Sequence, residues 1–257
     1  MGKPMKKILV TSMSLLMTLT LFINCGGKKE KAEEQLPVLN QQQIDSIKSV
    51  VKNTPKEPVK ENEVGVIETN YGTIVVKFFP DVAPVHAMNF KRLANAGYYN
   101  GTTFHRVIPG FMIQGGDILS RDDNPSNDGS GGPGYSIPAE FSETPHYRGR
   151  LSMARSQDPN SAGSQFFIVQ RKKLTKDDIQ NAEARVGRQF PDSVEATYLK
   201  RGGTPFLDDQ YTVFGEVIKG MDVVDKITAV QTNDKDKPLE PVVMTKVYVT
   251  DRSNAPL

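Results

Sequence analysis

Phe104-His105-Arg106-Val107-Ile108-Pro109-Gly110-Phe111-Met112-Ile113-Gln114-Gly115-Gly116-Asp117 is the stretch from which the rest of this chain can be read. A permanent cation, Arg106, stands five residues before the bulky apolar Phe111 and Met112 and eight before the amide of Gln114. Strand alternation puts residues i and i+2 on one face of a sheet, so Met112 and Gln114 flank the same spot. An apolar wall, a guanidinium and an amide lack the activated nucleophile that hydrolysis needs. They suit holding a neutral apolar ring beside a carbonyl.

Short β runs surround this stretch. Val66–Thr69 and Thr73–Phe78, joined across Asn70-Tyr71-Gly72, read as a hairpin. Pro84 to Ala96 reads as a helix, with Pro in its first turn and Gly97 as its stop. Further strands are expected at 102–107, 112–115, 151–154, 165–169, 212–217 and 242–250, with a short helix, Met221 to Ile227, after Gly220. Residues 120–134 form a Gly/Pro/Asp/Asn loop. Many short strands and only two helices favour a mainly β fold, a closed antiparallel barrel, over βαβ winding. One segment interrupts the pattern. Leu174 to Lys200 begins with Thr175 and Asp178 at capping-box spacing, is punctuated by Pro191 and leaves through Gly202-Gly203. It reads as a helical insertion, residues 171–203, between two strands.

Composition narrows the function. The chain of 257 residues has 32 basic and 30 acidic residues, a net charge of +2, 37% hydrophobic residues and a mean hydropathy of −0.43. That balance, with no basic stripe, gives no case for nucleic acid. A single cysteine excludes an internal disulfide and a thiolate zinc site. His86, His105 and His146 are scattered without metal-ligand spacing, so neither a metal nor a cofactor is expected.

The N-terminus reads as an address. Lys3, Lys6 and Lys7 precede the uncharged run Ile8–Ile23, so residues 1–24 are expected to be an export signal. Cys25, followed by Gly26-Gly27 and a charged tract, resembles the lipobox of bacterial lipoproteins, although Phe22-Ile23-Asn24 departs from the usual Leu and small residues. An ordinary cleaved signal or an uncleaved anchor is the alternative. The lipobox likeness implies acylation at Cys25, a lipid-anchored partner membrane and a place in the bacterial cell envelope, facing the periplasm or in the outer membrane. Residues 25–63, rich in Lys, Glu, Gln, Asn and Pro, read as a flexible tether. Within it, Ile44, Ile47 and Val51 recur at helical spacing behind Asn40, a candidate N-cap.

Asp128-Gly-Ser-Gly-Gly-Pro133 is a rearranged form of a serine-protease nucleophile motif, but no histidine stands in a context that would orient a base, so a glycine-rich surface loop is the reading. Two further blocks decide the function: Met153-Ala-Arg-Ser-Gln-Asp-Pro-Asn-Ser-Ala-Gly-Ser-Gln-Phe-Phe-Ile168 and Phe206-Leu-Asp-Asp-Gln-Tyr-Thr-Val-Phe-Gly215. With Phe104–Asp117 and in this order, they resemble the cyclophilin family of peptidyl-prolyl isomerases. The likeness spans roughly 64–250 outside the insertion, and the domain is expected over 64–252.

The resemblance implies an eight-stranded closed barrel capped by two helices, and a substrate that is a proline-containing polypeptide. Arg106 would be the catalytic arginine. Phe111, Met112, Phe167 and Leu207 would seat the proline ring, and Gln114 would bond the substrate backbone. Ala154, Arg155 and Gln165 would line the groove for residues before proline. Arg155 stands where many relatives carry Asn. Phe206 and Tyr211 stand where cyclosporin-sensitive members carry Trp and His, which puts tight cyclosporin binding in doubt. His105 is read as structural, since amide rotation needs no proton transfer. No oligomer is implied. A competing reading makes the insertion a docking module, with isomerase turnover incidental.

Overall fold

The computed structural model describes residues 37–257, so the export signal and Cys25 lie outside the described residues. Eight strands form one antiparallel sheet: β1 (Glu63–Thr69), β2 (Gly72–Phe78), β3 (Arg106–Ile108), β4 (Met112–Gly115), β5 (Arg150–Met153), β6 (Phe166–Val169), β7 (Val213–Lys219) and β8 (Met244–Asp251). Their order across the sheet is β3-β4-β6-β5-β7-β2-β1-β8.

The expected closure is not what the strand pairing shows. β3 and β8 are the two ends of the order, and between them only an isolated bridge forms, Thr103 to Val243, just before each strand begins. The backbone N–H groups of Phe104 and Met244 donate to the Val242 and Thr102 carbonyls at 2.9 and 2.8 Å. The sheet therefore curls, with its seam covered by loop backbone rather than a strand ladder. This protects an edge that would otherwise present unpaired donors and acceptors.

Period-2 alternation separates the two faces of the sheet. Ile74, Val76, Leu151, Met153, Phe166, Ile168 and Ile113 point into one buried core. Met112, Phe167 and Val169, their strand neighbours, point to the other face and build a separate apolar cluster. Helix α2 (Pro84–Asn95) packs on β7 and β8 and sets Phe90 in the middle of the core, its ring 5.1 Å from Tyr99, 5.5 Å from Phe166 and 6.0 Å from Phe214. The first residue of α2 is Pro, and its N-cap, Ala83, has no side chain to offer. The cap comes from far along the chain: the Glu140 carboxylate accepts from the N–H groups of Val85 and His86 at 3.1 and 3.0 Å. A carboxylate there also suits the positive end of the helix dipole. α5 (Met221–Thr228) covers β2, β3 and β4.

The tether expectation fails for its second half. Residues 41–53 form helix α1, opened by a capping box in which the Asn40 side chain accepts from Gln43 N–H and the Gln43 side chain accepts from Asn40 N–H. Ile44 and Val51, together with Leu39 and Val59, are buried in the main core. Three apolar residues at helical spacing were enough to dock a helix in a segment whose overall composition is polar, because only one stripe need be apolar. A third helix, besides α2 and α5, thus contributes side chains to the main core.

The insertion folds as α3 (Lys176–Val186) and α4 (Asp192–Arg201). The Thr175–Asp178 capping box forms, Asp substituting for Glu. Leu174, Ile179, Ala182, Phe190 and Tyr198 make a small core of their own with Tyr147. Gly202 shows why the exit is glycine: its φ is +80°, and a Cβ there would sit 2.2 Å from the Arg171 carbonyl oxygen. Entry and exit of the insertion touch.

Candidate active site

Strand register brings the predicted residues together. Arg106 on β3 lies opposite Gln114 on β4, Gln114 opposite Phe167 on β6, and Phe167 opposite Ser152 on β5. One row thus carries a cation, an amide, an aromatic ring and a hydroxyl across four strands. The next row is Ile108, Met112 and Val169. Cross-strand neighbours of this kind have Cβ atoms about 4.5–5.5 Å apart, so the row faces one spot.

That spot is a cavity of about 120 Å³ lined by Arg106, Phe111, Met112, Gln114, Ala154, Arg155, Phe167, Leu207 and Tyr211. A dry cavity of ~150 Å³ holds a benzene, so a five-membered ring fits this one. Phe206 departs from the expectation. It does not line the cup but backs it, its ring 5.7 Å from Phe111 and 5.3 Å from the Arg185 guanidinium of α3. Gln165 belongs to the larger neighbouring groove, where its amide donates to the carbonyls of Gly129 and Gly131 and its oxygen accepts from Gln114.

Arg106 is half-exposed and held at one point. Its Nε lies 3.4 Å from an Asp236 carboxylate oxygen, and the Asp236 carbonyl accepts from Val107 N–H at 2.8 Å. The two terminal nitrogens have no hydrogen-bond partner among the described residues, which leaves a rigid fork of donors available. Arg155 turns its guanidinium away from the cup toward the carbonyls of Gln210, Ser156 and Gln157, and covers the Tyr211 ring at 4.6 Å. Its charge therefore clamps Tyr211, while its backbone borders the groove.

Beneath the cup lies a buried polar chain that the sequence reading missed. The His146 ring stacks 6.2 Å from Phe167 at an angle of 10°. Its Nδ1 is 2.8 Å from Asp208, its Nε2 is 3.1 Å from Ser152 Oγ, and the Tyr198 hydroxyl donates to both Asp208 oxygens at 2.8 and 2.7 Å. Serine, imidazole and carboxylate in line resemble a hydrolytic triad. Here all three are buried and the Ser152 hydroxyl is committed to the Thr212 carbonyl at 2.9 Å, so no substrate carbonyl can reach it. Burial and the Asp208 carboxylate push the Tyr198 hydroxyl far up, keeping it a neutral donor. Alternation from Leu151 and Met153 places Ser152 on the cup face, which was the available signal; His146 and Tyr198 carry none.

The glycine loop is organised by Asp117. Its carboxylate accepts from Leu119 and Gly131 N–H at 2.8 and 3.1 Å and also from Gly129 N–H. A Cβ at Gly131 would fall 1.9 Å from Asp117 Oδ1. The rearranged protease motif is thus a wrap around a buried carboxylate. His105 lies under the same loop, outside the cup, and neither of its ring nitrogens is hydrogen-bonded among the described residues.

The sheet thus carries a ring-sized cup with an apolar floor, bordered by a guanidinium and an amide. The profile of the family "cyclophilin type peptidyl-prolyl cis-trans isomerase/CLD" matches residues 64–249, and the chain belongs to this family. A Staphylococcus haemolyticus protein named for peptidyl-prolyl cis-trans isomerase activity is 40% identical over 199 residues, covering 76% of this chain and 95% of the relative. A Streptococcus pyogenes protein named as a bifunctional phosphatase and isomerase is 42% identical over 202 residues, covering 74% of this chain; the match spans only 40% of that longer relative. Among solved structures, a cyclophilin type isomerase of Cryptosporidium parvum, determined in the presence of the dipeptide Ala-Pro, superposes with a TM-score of 0.56 at 27% identity, covering 73% of this chain and 99% of the other.

Proposed function

We propose that this domain accelerates rotation about Xaa-Pro bonds by binding the twisted amide more tightly than either planar form, with Arg106 as the catalytic group. The observation that carries this is the Arg106–Gln114–Phe167 row bordering the ring-sized cup. Amide rotation faces a barrier of ~18–20 kcal/mol because resonance is lost. In the twisted state the prolyl nitrogen becomes pyramidal and gains a lone pair. A guanidinium, always protonated and with unoccupied donors, can hydrogen-bond that lone pair. Met112, Phe111, Phe167 and Leu207 hold the ring against apolar surface, while Gln114 fixes the flanking backbone. An acceleration of about 10⁵-fold requires roughly 7 kcal/mol of differential binding. No covalent step or cofactor enters this scheme.

Exported proteins are the proposed clients, and a lipid anchor at Cys25 the proposed tether to the cell envelope; the charged n-region and the lipobox-like Cys25 support both. Mass spectrometry of the mature N-terminus tests the anchor: an unmodified Cys25 would remove it. The test of the chemistry is the cis-to-trans relaxation of a short Xaa-Pro peptide. The wild type should accelerate it, and Arg106→Ala should lose about 10²–10³-fold in kcat/KM, the usual size of one charge-stabilising donor. Equal rates for the two proteins would dismiss Arg106. The docking reading of the insertion finds less support, because α3 packs on Pro205–Leu207, the segment that walls the cup.

A further inference from the structure

Beside the cup lies a larger cavity of about 720 Å³, and the two share Gln114, Ala154 and Arg155. A peptide with its proline in the cup must therefore run a flanking residue past this cavity. Among the described residues its lining is the glycine loop, Tyr135, several serines and two charged residues, Arg155 and Lys48, with no carboxylate. Lys48 belongs to α1, which lies outside the part of the chain that the family profile covers.

The position of Lys48 is built rather than incidental. At its N-terminal side Leu39 N–H donates to the Arg121 carbonyl at 2.8 Å. At the other end Arg92 donates to the Thr54 and Lys52 carbonyls, both at 2.9 Å. Ile44 and Val51 are buried between these ties. Lys48 itself is half-buried and makes no ion pair among the described residues. Arg155, the other basic residue of the lining, commits its guanidinium to the carbonyls of Gln210, Ser156 and Gln157 and to the Tyr211 ring. Among the described residues Lys48 thus brings to this cavity a positive charge that makes no ion pair, in a concave site that concentrates its field.

We infer that α1 is a selectivity element, in which Lys48 favours substrates bearing a carboxylate side chain in the residues just before the proline and disfavours basic ones. This rests on the isomerase reading and adds to it a substrate preference set by a segment outside the family domain. The purified full chain, Lys48→Gln and Lys48→Glu are compared on Xaa-Pro peptides carrying Glu, Ala or Lys one, two or three residues before proline. Both kcat/KM and the dissociation constant from an NMR titration are measured.

In the wild type the Glu peptide should exceed the Lys peptide by about two- to fivefold at one of the three positions, the range of a solvent-facing ion pair. Lys48→Gln should narrow this ratio and Lys48→Glu invert it, and ~0.5 M salt should erase it in the wild type. An unchanged Glu-to-Lys ratio in Lys48→Glu at all three positions overturns the inference. If no peptide is turned over, the isomerase reading fails instead, and the titration ratios still decide on Lys48.

Discussion

The two walls of the cup are held by different chemistry. On the barrel side Arg106, Gln114 and Phe167 are fixed by strand register, so every backbone bond between β3, β4 and β6 helps to place them. On the insertion side Leu207 and Tyr211 ride on a short turn whose position depends on side chains: Asp208 bonded to His146 and Tyr198, and the Arg188–Asp209 pair. Ladder bonds are numerous and individually replaceable, whereas a buried polar chain fails as a unit when one member is lost. The barrel wall should therefore tolerate substitution around it, and the insertion wall should not.

Phe167 is where the two walls meet, touching His146 on one side and Tyr211 at 5.7 Å on the other. Phe167→Ala is expected to give the largest effect of the substitutions discussed here, about 3–5 kcal/mol of stability in a denaturant titration. A cost below ~1 kcal/mol would mean that neither wall leans on it.

Tyr198→Phe sharpens the comparison, since it deletes one oxygen from the insertion and changes nothing in the barrel. Asp208 would lose the hydroxyl that both its oxygens accept from, deep in the protein. Bonds to a charged acceptor contribute about 1.5–3 kcal/mol, so unfolding should move by about that amount. KM for proline peptides should rise as the turn carrying Leu207 and Tyr211 loosens. An unaltered midpoint and KM would show that the insertion merely sits beside the cup.

The same division explains what could be read from the sequence. Alternation and turn residues revealed the strands and placed Met112 and Gln114 on one face, although not the pairing of β3 with β4. The capping box at Thr175 was legible because it too is a local pattern. The closing of the barrel was not, since it turns on whether 102–104 and 242–244 extend as a ladder or a single bridge. The docking of α1 was hidden by average composition, although its stripe was visible. Glu140 capping α2, His146 beneath Phe167 and Tyr198 on Asp208 join residues with no sequence pattern between them. Phe206 looked like a cup residue by position, yet its ring rests between Phe111 and the Arg185 guanidinium, a residue of the insertion, and does not line the cup.

A smaller effect is expected at Arg188, which grips Asp209 at 2.6 and 3.1 Å but on the surface, with 36% of each side chain exposed. Asp209 also holds a positive φ of 62°, a conformation Asp tolerates better than most residues. Arg188→Ala should cost under ~1 kcal/mol, with salt weakening even the wild-type pair. A loss as large as that of Tyr198→Phe would place the anchor of the insertion wall on its surface rather than in its interior.

The gentlest contrast lies in the histidines. His146, under the insertion wall, has both ring nitrogens bonded, whereas His105 on the barrel side has neither bonded and His86 only one. Burial lowers the proton affinity of His105, against the opposing pull of Asp117 and Asp128, and lowers that of His86 against Glu140. In the unfolded chain both take up a proton near pH 6.5. Below that pH the unfolded state binds more protons than the folded one, so stability rises with pH through the window and is lost as pH falls under 6.5. Carboxylates held below their usual range, Glu63, Glu216 and Asp225 among them, respond only in stronger acid, which keeps the two effects apart. Melting temperatures between pH 7.5 and 5 should therefore decline (roughly one unit either side of the imidazole range), and His105→Gln should flatten the decline by removing one titrating ring. A wild-type profile with no slope across that range would mean that His105 and His86 gain protons as readily in the fold as outside it.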